Sequence, residues 1–319
     1  MGGGVLLAVV SAVSFGLSGS LASGLLATGW SPGAVVLTRM TIAAFVMAAP
    51  AAASLRGRWR QLVAHLPQVV AYAVVAVAAS QFCYFSAVQT MDVGPALLIE
   101  YTAPATVVAW LWARHGRRPG AWTVVGAATA AIGLVLVLDL LSGSAIGWPG
   151  VGWALAAMVG LTVHFLISGD TSLEVPALAL AGAGLFVGTL TLGGLGALGV
   201  LPLRVTSAAP TYAAGSTPWW VPVLALGLVT AALAYGTGIA GTRLLGPQVA
   251  SFVALLEVVA GVGFAWWLLA QKPTPLQSLG GLLVLAGAVM VKRTDGRQRT
   301  PGDHGGAGRR SDPAEGVRS

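Results

Sequence analysis

Long apolar runs alternate with short polar turns along almost the whole chain. A membrane-crossing helix needs about 20 mostly apolar residues, so the pattern predicts roughly ten transmembrane helices. The predicted spans are residues 4–26, 32–53, 67–88, 93–113, 121–140, 148–168, 176–200, 218–239, 247–269 and 275–292. Ser31 followed by Pro32 marks the start of the second span, because it combines an N-cap residue with proline at the first helical position. The first run has no basic residue before it, so we expect a membrane helix rather than a cleaved leader.

One pair of spans occurs twice. The two copies are residues 94–138 and 246–291. Gly126 and Gly133 of the first copy lie 154 positions before Gly280 and Gly287 of the second. We therefore predict an all-α integral membrane protein with about ten transmembrane helices in two five-helix repeats. The first repeat is 1–145 and the second 146–293. Because five is an odd number, the repeats are inserted in opposite orientations, as in many secondary transporters.

The composition excludes a water-soluble protein. Of the 319 residues 56% are hydrophobic and only 8% are charged, and the mean hydropathy is +0.83. A soluble domain carries about 25% charged residues. The chain lacks the polar side chains to cover a water-exposed surface, so the class is a polytopic membrane protein in contact with the lipid bilayer.

The basic residues are distributed as membrane orientation requires. Fourteen of the 17 Lys and Arg residues fall on one predicted side of the membrane, and only Arg204 and Lys272 fall on the other. The positive-inside rule then places both termini in the cytoplasm. Residues 294–319 contain almost no apolar residue and are predicted to form a disordered cytoplasmic tail. The net charge of +7 is thus explained without a nucleic-acid partner.

Both copies of the paired spans resemble the EamA-type transporters of the drug/metabolite transporter superfamily. The resemblance is carried by GPALLIEYTAPATVVAWLWARHGRRPGAWTVVGAATAAIG and by GPQVASFVALLEVVAGVGFAWWLLAQKPTPLQSLGGLLVLAG, within a duplicated pattern that covers residues 4–292. It implies a ten-helix inverted repeat in the inner membrane that exports amino acids, metabolites or drug-like solutes. The fourth helix of such repeats often ends in a Gly-Glu pair. Here the corresponding residues are Ala113 and Arg114, and Ala270 and Gln271.

Five side chains are predicted to share one layer inside the membrane. Ionisable residues within spans are rare and mark functional sites. At 1.5 Å per residue, Arg39 lies roughly 10 Å below the outer boundary and Glu100 at a similar depth, with Gln81, Tyr84 and Tyr101 beside them. We predict a substrate-binding site in which Arg39 binds a carboxylate and Glu100 an amine or a proton. A static Arg39–Glu100 ion pair, or an Arg39 that snorkels outward, explains the pattern equally well.

Other candidates come from the depth of single residues. Glu257 lies roughly 15 Å deep. Glu257 and Glu100 are the two candidates for proton coupling. The alternative is a neutral, hydrogen-bonded glutamate that fixes helix packing. Trp110 is predicted to line the substrate cavity, and Pro104 to permit a gating kink. His164 and Tyr235 are placed near the inner face, where a histidine is expected to be a packing or interfacial residue.

The sequence contains no metal-binding spacing, phosphate-binding loop or nucleophile motif. We therefore predict no catalytic residue, no metal and no cofactor. The expected function is secondary active transport by alternating access, with a small-molecule substrate and protons as the candidate coupling ion. Two alternatives remain open. One is an integral-membrane enzyme acting on lipid, and the other is a membrane scaffold or sensor that transports nothing.

Overall fold

A computed structural model describes residues 2–103, 121–137, 147–168, 174–245 and 253–298, together with Thr106, Trp110, Trp112 and Ala113. These residues form helices joined by short turns, and one small hairpin. The helices are α1 Gly2–Ala27, α2 Pro32–Ser54, α3 Trp59–Ala64, α4 Leu66–Val88, α5 Val93–Glu100, α6 Ala121–Val137, α7 Trp148–Ser168, α8 Ala177–Ala197, α9 220–245, α10 Leu256–Leu269 and α11 Pro275–Gln298. The hairpin pairs β1 Thr211–Tyr212 with β2 Gly215–Ser216 in antiparallel register.

The helices match the predicted spans in position. Five of them are long and apolar enough to cross a membrane: α1, α2, α4, α8 and the segment Trp220–Gly241 of α9. Shorter apolar helices lie in the fifth, ninth and tenth predicted spans. Ser31 caps α2 as predicted, since its side chain accepts a hydrogen bond from the Ala34 amide at 3.3 Å. The chain is thus a multi-pass, mainly helical membrane protein.

Two features of the connecting segments were not predicted. The basic loop after α2 contains the short helix α3, which ends at Ala64. The next helix begins at Leu66, and Pro67 lies in its first turn, where its lack of a backbone N–H costs no hydrogen bond. The hairpin departs from an all-helical fold. Its strands have two residues each, too few to produce a recognisable alternation of polar and apolar positions.

Two helices contain π-helical segments at corresponding positions. Tyr72–Ala79 is π-helical within α4, and Leu228–Leu233 is π-helical within α9. These helices are the third of the first predicted repeat and the third of the second. π-Helical turns are rare and are frequently found at functional sites. Each segment is followed, two residues later, by a polar side chain, which is Gln81 in α4 and Tyr235 in α9.

The most extensive helix–helix contact in the described chain joins α6 and α11. Glycines allow the two backbones to touch, as is common between membrane helices. An added Cβ atom would lie 2.5 Å from the Gly280 carbonyl oxygen at Gly133, and 2.6 Å from the Gly133 carbonyl oxygen at Gly280. Gly287 likewise faces the Gly126 carbonyl. The residue numbers of the contacting glycines increase along α6 while they decrease along α11. The two helices are therefore antiparallel. We call these four glycines the glycine seam.

A segment that we call the strap, residues 201–217, lies across the ends of α1 and α2. It is fixed largely through backbone atoms. The Ser31 amide donates to the Arg204 carbonyl at 3.0 Å, and the Thr206 hydroxyl donates to the Thr28 carbonyl at 3.0 Å. The Tyr212 hydroxyl donates to the Leu21 carbonyl of α1 at 2.9 Å. Burial raises the pKa of Tyr212 above its usual value, so the hydroxyl keeps the proton that it donates.

Candidate functional site

A group of polar side chains lies inside the apolar bundle, where α2, α4, α5, α9 and α10 approach each other. We call it the polar cluster. Its members are Arg39, Gln81, Tyr84, Glu100, Tyr101, Tyr235 and Glu257. Five of them belong to the first predicted repeat and two to the second. A charged group in such an apolar setting is costly unless it is hydrogen-bonded or paired, so the partners of each member show how the cluster is maintained.

Arg39 is the centre of the cluster and is only 3% exposed. Its Nη1 donates to Gln81 Oε1, and its Nη2 donates to the Thr230 carbonyl at 2.7 Å. The guanidinium carbon lies 5.5 Å from the centroid of the Phe85 ring, within the range of a cation–π contact. The accepting carbonyl belongs to the π-helical segment of α9. Arg39 therefore joins the two predicted repeats and does not snorkel outward.

The ion pair between Arg39 and Glu100 that the sequence suggested is absent from the described residues. The guanidinium uses its two terminal nitrogens on an amide and a backbone carbonyl instead. Neutral acceptors satisfy the two terminal nitrogens of Arg39 without requiring a charged carboxylate at contact distance. Glu100 and Glu257 nevertheless lie near enough to Arg39 to attract it electrostatically. The cluster thus contains one base and two acids within a single buried space.

Glu257 is drawn into the cluster by Tyr101. The Tyr101 hydroxyl donates to Glu257 Oε2 at 2.6 Å, the short distance expected when the acceptor is a carboxylate. This bond links the end of α5 to the first turn of α10. The sequence had placed Glu257 as an isolated acid near the midplane, and the structure gives it a partner from the predicted layer. Its proposed part in proton coupling remains a prediction.

Tyr235 is the cluster member that the sequence placed elsewhere. Depth counting places it near the inner face, yet in the structure its phenol and the Gln81 side chain lie close enough to interact. The two residues are 154 positions apart, the same spacing that relates the two copies of the repeat. Corresponding positions of the two predicted repeats therefore meet in the cluster. The repeat spacing would have located Tyr235, whereas counting residues from the end of its span did not.

Several buried donors of this region have no hydrogen-bond partner among the described residues. They are Arg39 Nε, the Tyr84 hydroxyl and the Ser20 hydroxyl. The Tyr84 hydroxyl lies against α1, because a Cβ atom added to Gly19 would collide with it. A buried donor without an acceptor costs on the order of 1–3 kcal/mol. These groups are therefore suited to an acceptor that the described residues do not provide.

The remaining predicted residues lie apart from the cluster. Trp110 is 54% exposed, so the structure does not bring it toward the other candidates. Pro104 lies outside the described residues, and its gating part stays a prediction. His164 contacts Tyr72 of α4, with 3.1 Å between His164 Nδ1 and the tyrosine hydroxyl, in agreement with a packing residue. In the described part of the chain no three His, Cys, Asp or Glu residues could together hold a metal ion.

A buried polar cluster inside a bundle of apolar membrane helices is typical of the substrate or ion pathway of a membrane transporter. The EamA-like transporter family matches residues 2–139 and 148–293. The chain belongs to this family, and the resemblance inferred from the sequence is confirmed.

Two further comparisons found similar proteins. A probable terminal-alkyne amino-acid exporter of Streptantibioticus cattleyicolor is 29% identical over 288 residues, which cover 86% of this chain and 90% of the relative. A solved structure described only as the crystal structure of a protein has a TM-score of 0.56 and 21% identity. It covers 91% of this chain and 99% of that one. At that identity the likeness concerns the fold alone.

Proposed function

We propose that this protein exports a small zwitterionic solute, of amino-acid type, across the plasma membrane by alternating access. The observation that carries the proposal is the polar cluster, which combines unpartnered donors with two acids inside a membrane-spanning bundle. Ionisable groups in such a place mark substrate or ion pathways. The name of the Streptantibioticus relative, a probable amino-acid exporter, supports the same substrate class.

The donor side of the cluster suits a carboxylate. Arg39 Nε and the Tyr84 hydroxyl are buried and without a partner in the described chain, and both can only gain by meeting an acceptor. A charged acceptor forms stronger hydrogen bonds with such donors than a neutral one does. The Phe85 ring and the bonds to Gln81 and Thr230 hold the guanidinium in place, so its free Nε–H is oriented before the solute arrives.

The acid side of the cluster suits an ammonium group or a proton. Glu100 and Glu257 influence each other electrostatically, and two nearby carboxylates resist being charged together. A solute ammonium or a coupling proton would relieve that repulsion. A zwitterion would bind with its carboxylate toward Arg39 and its ammonium toward the acids. Proton coupling would then follow if solute and proton compete for the same carboxylates.

Alternating access is supported by an inverted relationship between the repeats. In the glycine seam, adding 154 to Gly126 gives Gly280, and subtracting 154 from Gly287 gives Gly133. The contact of Gly126 with Gly287 therefore corresponds to the contact of Gly133 with Gly280. Antiparallel helices with such reciprocal contacts are what a two-fold axis in the membrane plane produces. We infer ten spans in two inverted repeats, with both termini in the cytoplasm.

The deciding experiment is solute counterflow in proteoliposomes that contain the purified full chain. A panel of radiolabelled amino acids is offered to the wild type and to Arg39→Ala. Losing a hydrogen bond to a charged group costs about 1.5–3 kcal/mol, so the half-saturation concentration should rise roughly 10- to 100-fold. Arg204→Ala is the matched control, because this exposed arginine of the strap is held through its backbone.

The outcomes separate the alternatives. An Arg39→Ala protein that elutes as a monodisperse species and transports with unchanged half-saturation would refute the carboxylate site. If Arg39→Ala does not fold, Tyr84→Phe removes one unpartnered hydroxyl from the same side and tests the site instead. A wild-type protein that moves no offered solute, whether zwitterionic or not, would favour the scaffold or the lipid-acting enzyme.

A further inference from the structure

A second recess lies apart from the polar cluster. It is a crevice of about 300 Å³ between the first turn of α5, the end of α10 and the start of α11. Its floor is apolar and includes Leu98, Val258 and Leu285, and its mouth is polar and includes Asp92 and Lys272. At 1.5 Å per residue, Leu98 lies roughly 9 Å along α5 from Asp92. The lining of the crevice therefore changes from charged to apolar over a distance of about half the thickness of one bilayer leaflet.

The crevice opens sideways, toward the surface that faces lipid in a membrane protein. Val259 and Leu282 on its walls are 53% and 66% exposed. Its mouth lies where three helices begin or end, which is the boundary between hydrocarbon and headgroups. An amphiphile already present in the membrane would meet this opening without leaving the bilayer. A soluble ligand, in contrast, would have to occupy an apolar floor next to lipid tails.

Asp92 and Lys272 both line the mouth of the crevice. The Val93 amide donates to Gln271 Oε1 at 3.2 Å, and Asp92 and Lys272 are the chain neighbours of these two residues. Within the described part of the chain, neither charged side chain forms a hydrogen bond or an ion pair. Partial burial raises the pKa of Asp92, and a cation at that place would stabilise its charged form.

We propose that this crevice binds a phosphatidylethanolamine, with its phosphate at Lys272, its ammonium at Asp92 and an acyl chain along the apolar floor. One cation beside one anion complements a zwitterionic headgroup. Phosphatidylglycerol offers no cation to Asp92. Phosphatidylcholine has a cation, but its trimethylated nitrogen has no N–H to donate to the carboxylate. Phosphatidylethanolamine satisfies both charges, because its phosphate accepts from Lys272 and its primary ammonium donates to Asp92.

Such a lipid would contact both predicted repeats at once. Asp92 and Leu98 belong to the first, and Lys272, Val258 and Leu285 belong to the second. Because its site is formed jointly by the two repeats, the lipid would bind only while they keep this relative position. The crevice is thus a membrane-lipid site whose occupancy depends on the arrangement of the repeats.

The test is native mass spectrometry of the purified full chain in detergent, with equimolar phosphatidylethanolamine, phosphatidylcholine and phosphatidylglycerol of identical acyl chains. We expect phosphatidylethanolamine adducts to exceed each of the others at least threefold. Lys272→Gln and Asp92→Asn should each abolish this preference. Arg204→Gln is the charge control, since it removes a cation from the same predicted side but outside the crevice. Arg39→Ala should keep the preference, because this measurement does not depend on transport.

A second pair of variants tests the apolar floor. A Cβ atom at Gly281 would lie 3.5 Å from a Leu98 methyl group, which is an ordinary contact. Gly281→Leu should therefore fold, fill the crevice and reduce all three adducts. Gly263 has open space around it, so Gly263→Leu is the control and should bind lipid as the wild type does.

Three results would overturn the proposal. One is equal binding of the three lipids. Another is a preference for phosphatidylglycerol that depends on Lys272 alone, since the site would then recognise an anionic lipid. The third is displacement of phosphatidylethanolamine by a transported amino acid, which would make the crevice part of the solute pathway.

Discussion

The glycine seam and the polar cluster both join the two predicted repeats, but they do so in opposite ways. In the seam, Gly126 and Gly133 meet Gly287 and Gly280, so each copy contributes the same residue types and the contact is reciprocal. In the cluster the copies contribute different residues at corresponding positions. Gln81, for example, meets Tyr235. The glycines that pack the helices are the same in both copies, whereas the polar residues of the cluster differ between the copies.

The acids show the same divergence. Glu257 corresponds by the 154-residue spacing to Ala103, which is fully buried and carries no charge. A strictly symmetric pair of repeats would place two equal acids about the two-fold axis. This protein instead binds its second acid through Tyr101 of the other copy. The comparison predicts that the seam governs folding and that the cluster governs transport.

The largest expected effect concerns the seam. Gly280→Ala would place a methyl group 2.6 Å from the Gly133 carbonyl oxygen, where backbone on both sides prevents adjustment. We expect a loss of stability of about 1–3 kcal/mol or more, seen as a lower thermal transition in detergent. Gly281→Ala, one residue further along α11, is the matched control because its Cβ has room. Equal transitions for the two variants would show that the seam is not tightly packed.

The next effect concerns the two acids. Glu100→Gln and Glu257→Gln remove a titratable group while keeping the shape of the side chain. If either acid exchanges protons during transport, its variant should lose at least about a hundredfold in initial rate, the lower end of the contribution known for proton-transfer groups, and its rate should depend less on pH. The measurement is proteoliposome transport from pH 5 to 9. Normal transport by both variants at every pH would end the proton-coupling hypothesis while leaving the carboxylate site intact.

A smaller effect is expected for the tyrosine that binds the second acid. Tyr101→Phe removes the hydroxyl that donates to Glu257 and nothing else. A hydrogen bond to a charged group contributes about 1.5–3 kcal/mol, and one between neutral groups about 1 kcal/mol. The size of the Tyr101→Phe effect on transport therefore reports whether Glu257 is charged. A Tyr101→Phe defect larger than that of Glu257→Gln would contradict a role of the hydroxyl through Glu257.

The smallest effect is expected at the strap, a third junction between the repeats. Tyr212→Phe breaks one hydrogen bond, to the Leu21 carbonyl, and should cost about 0.5–1.5 kcal/mol of stability. Thermal unfolding in detergent measures it, with Tyr72→Phe in α4 as a comparison. A cost as large as that of Gly280→Ala would mean that the strap, rather than the seam, holds the repeats together.

The sequence predicted the parts of the fold that depend on periodicity and repetition. Apolar runs located the helices, and the spacing of glycines identified the residues that later proved to form the seam. The depths estimated for Arg39 and Gln81 from their positions within their spans correctly predicted that the two side chains lie together. These inferences succeeded because bilayer thickness and helical rise are constants, so position along a run translates into position in space.

The failures arose where a helix departs from that regularity. Depth counting assumes that the span of Tyr235 is upright and starts at the membrane boundary, whereas the structure brings Tyr235 beside Gln81. The carbonyl of Thr230, which accepts from Arg39, carries no sequence signal because every residue has a carbonyl. The crevice at Lys272 depends on how three helix ends diverge, which no single stretch of sequence encodes.

The π-helical segments of α4 and α9 have a rotational consequence. Each residue of a regular α-helix advances the side chain by about 100°, and a π turn accommodates one extra residue without lengthening the helix by a full step. Every side chain that follows is therefore turned by about that angle from the face that an uninterrupted helix would give it. Gln81 and Tyr235 each follow two residues after such a segment. The face of the helix on which each of these two side chains lies therefore depends on the π-helical segment that precedes it.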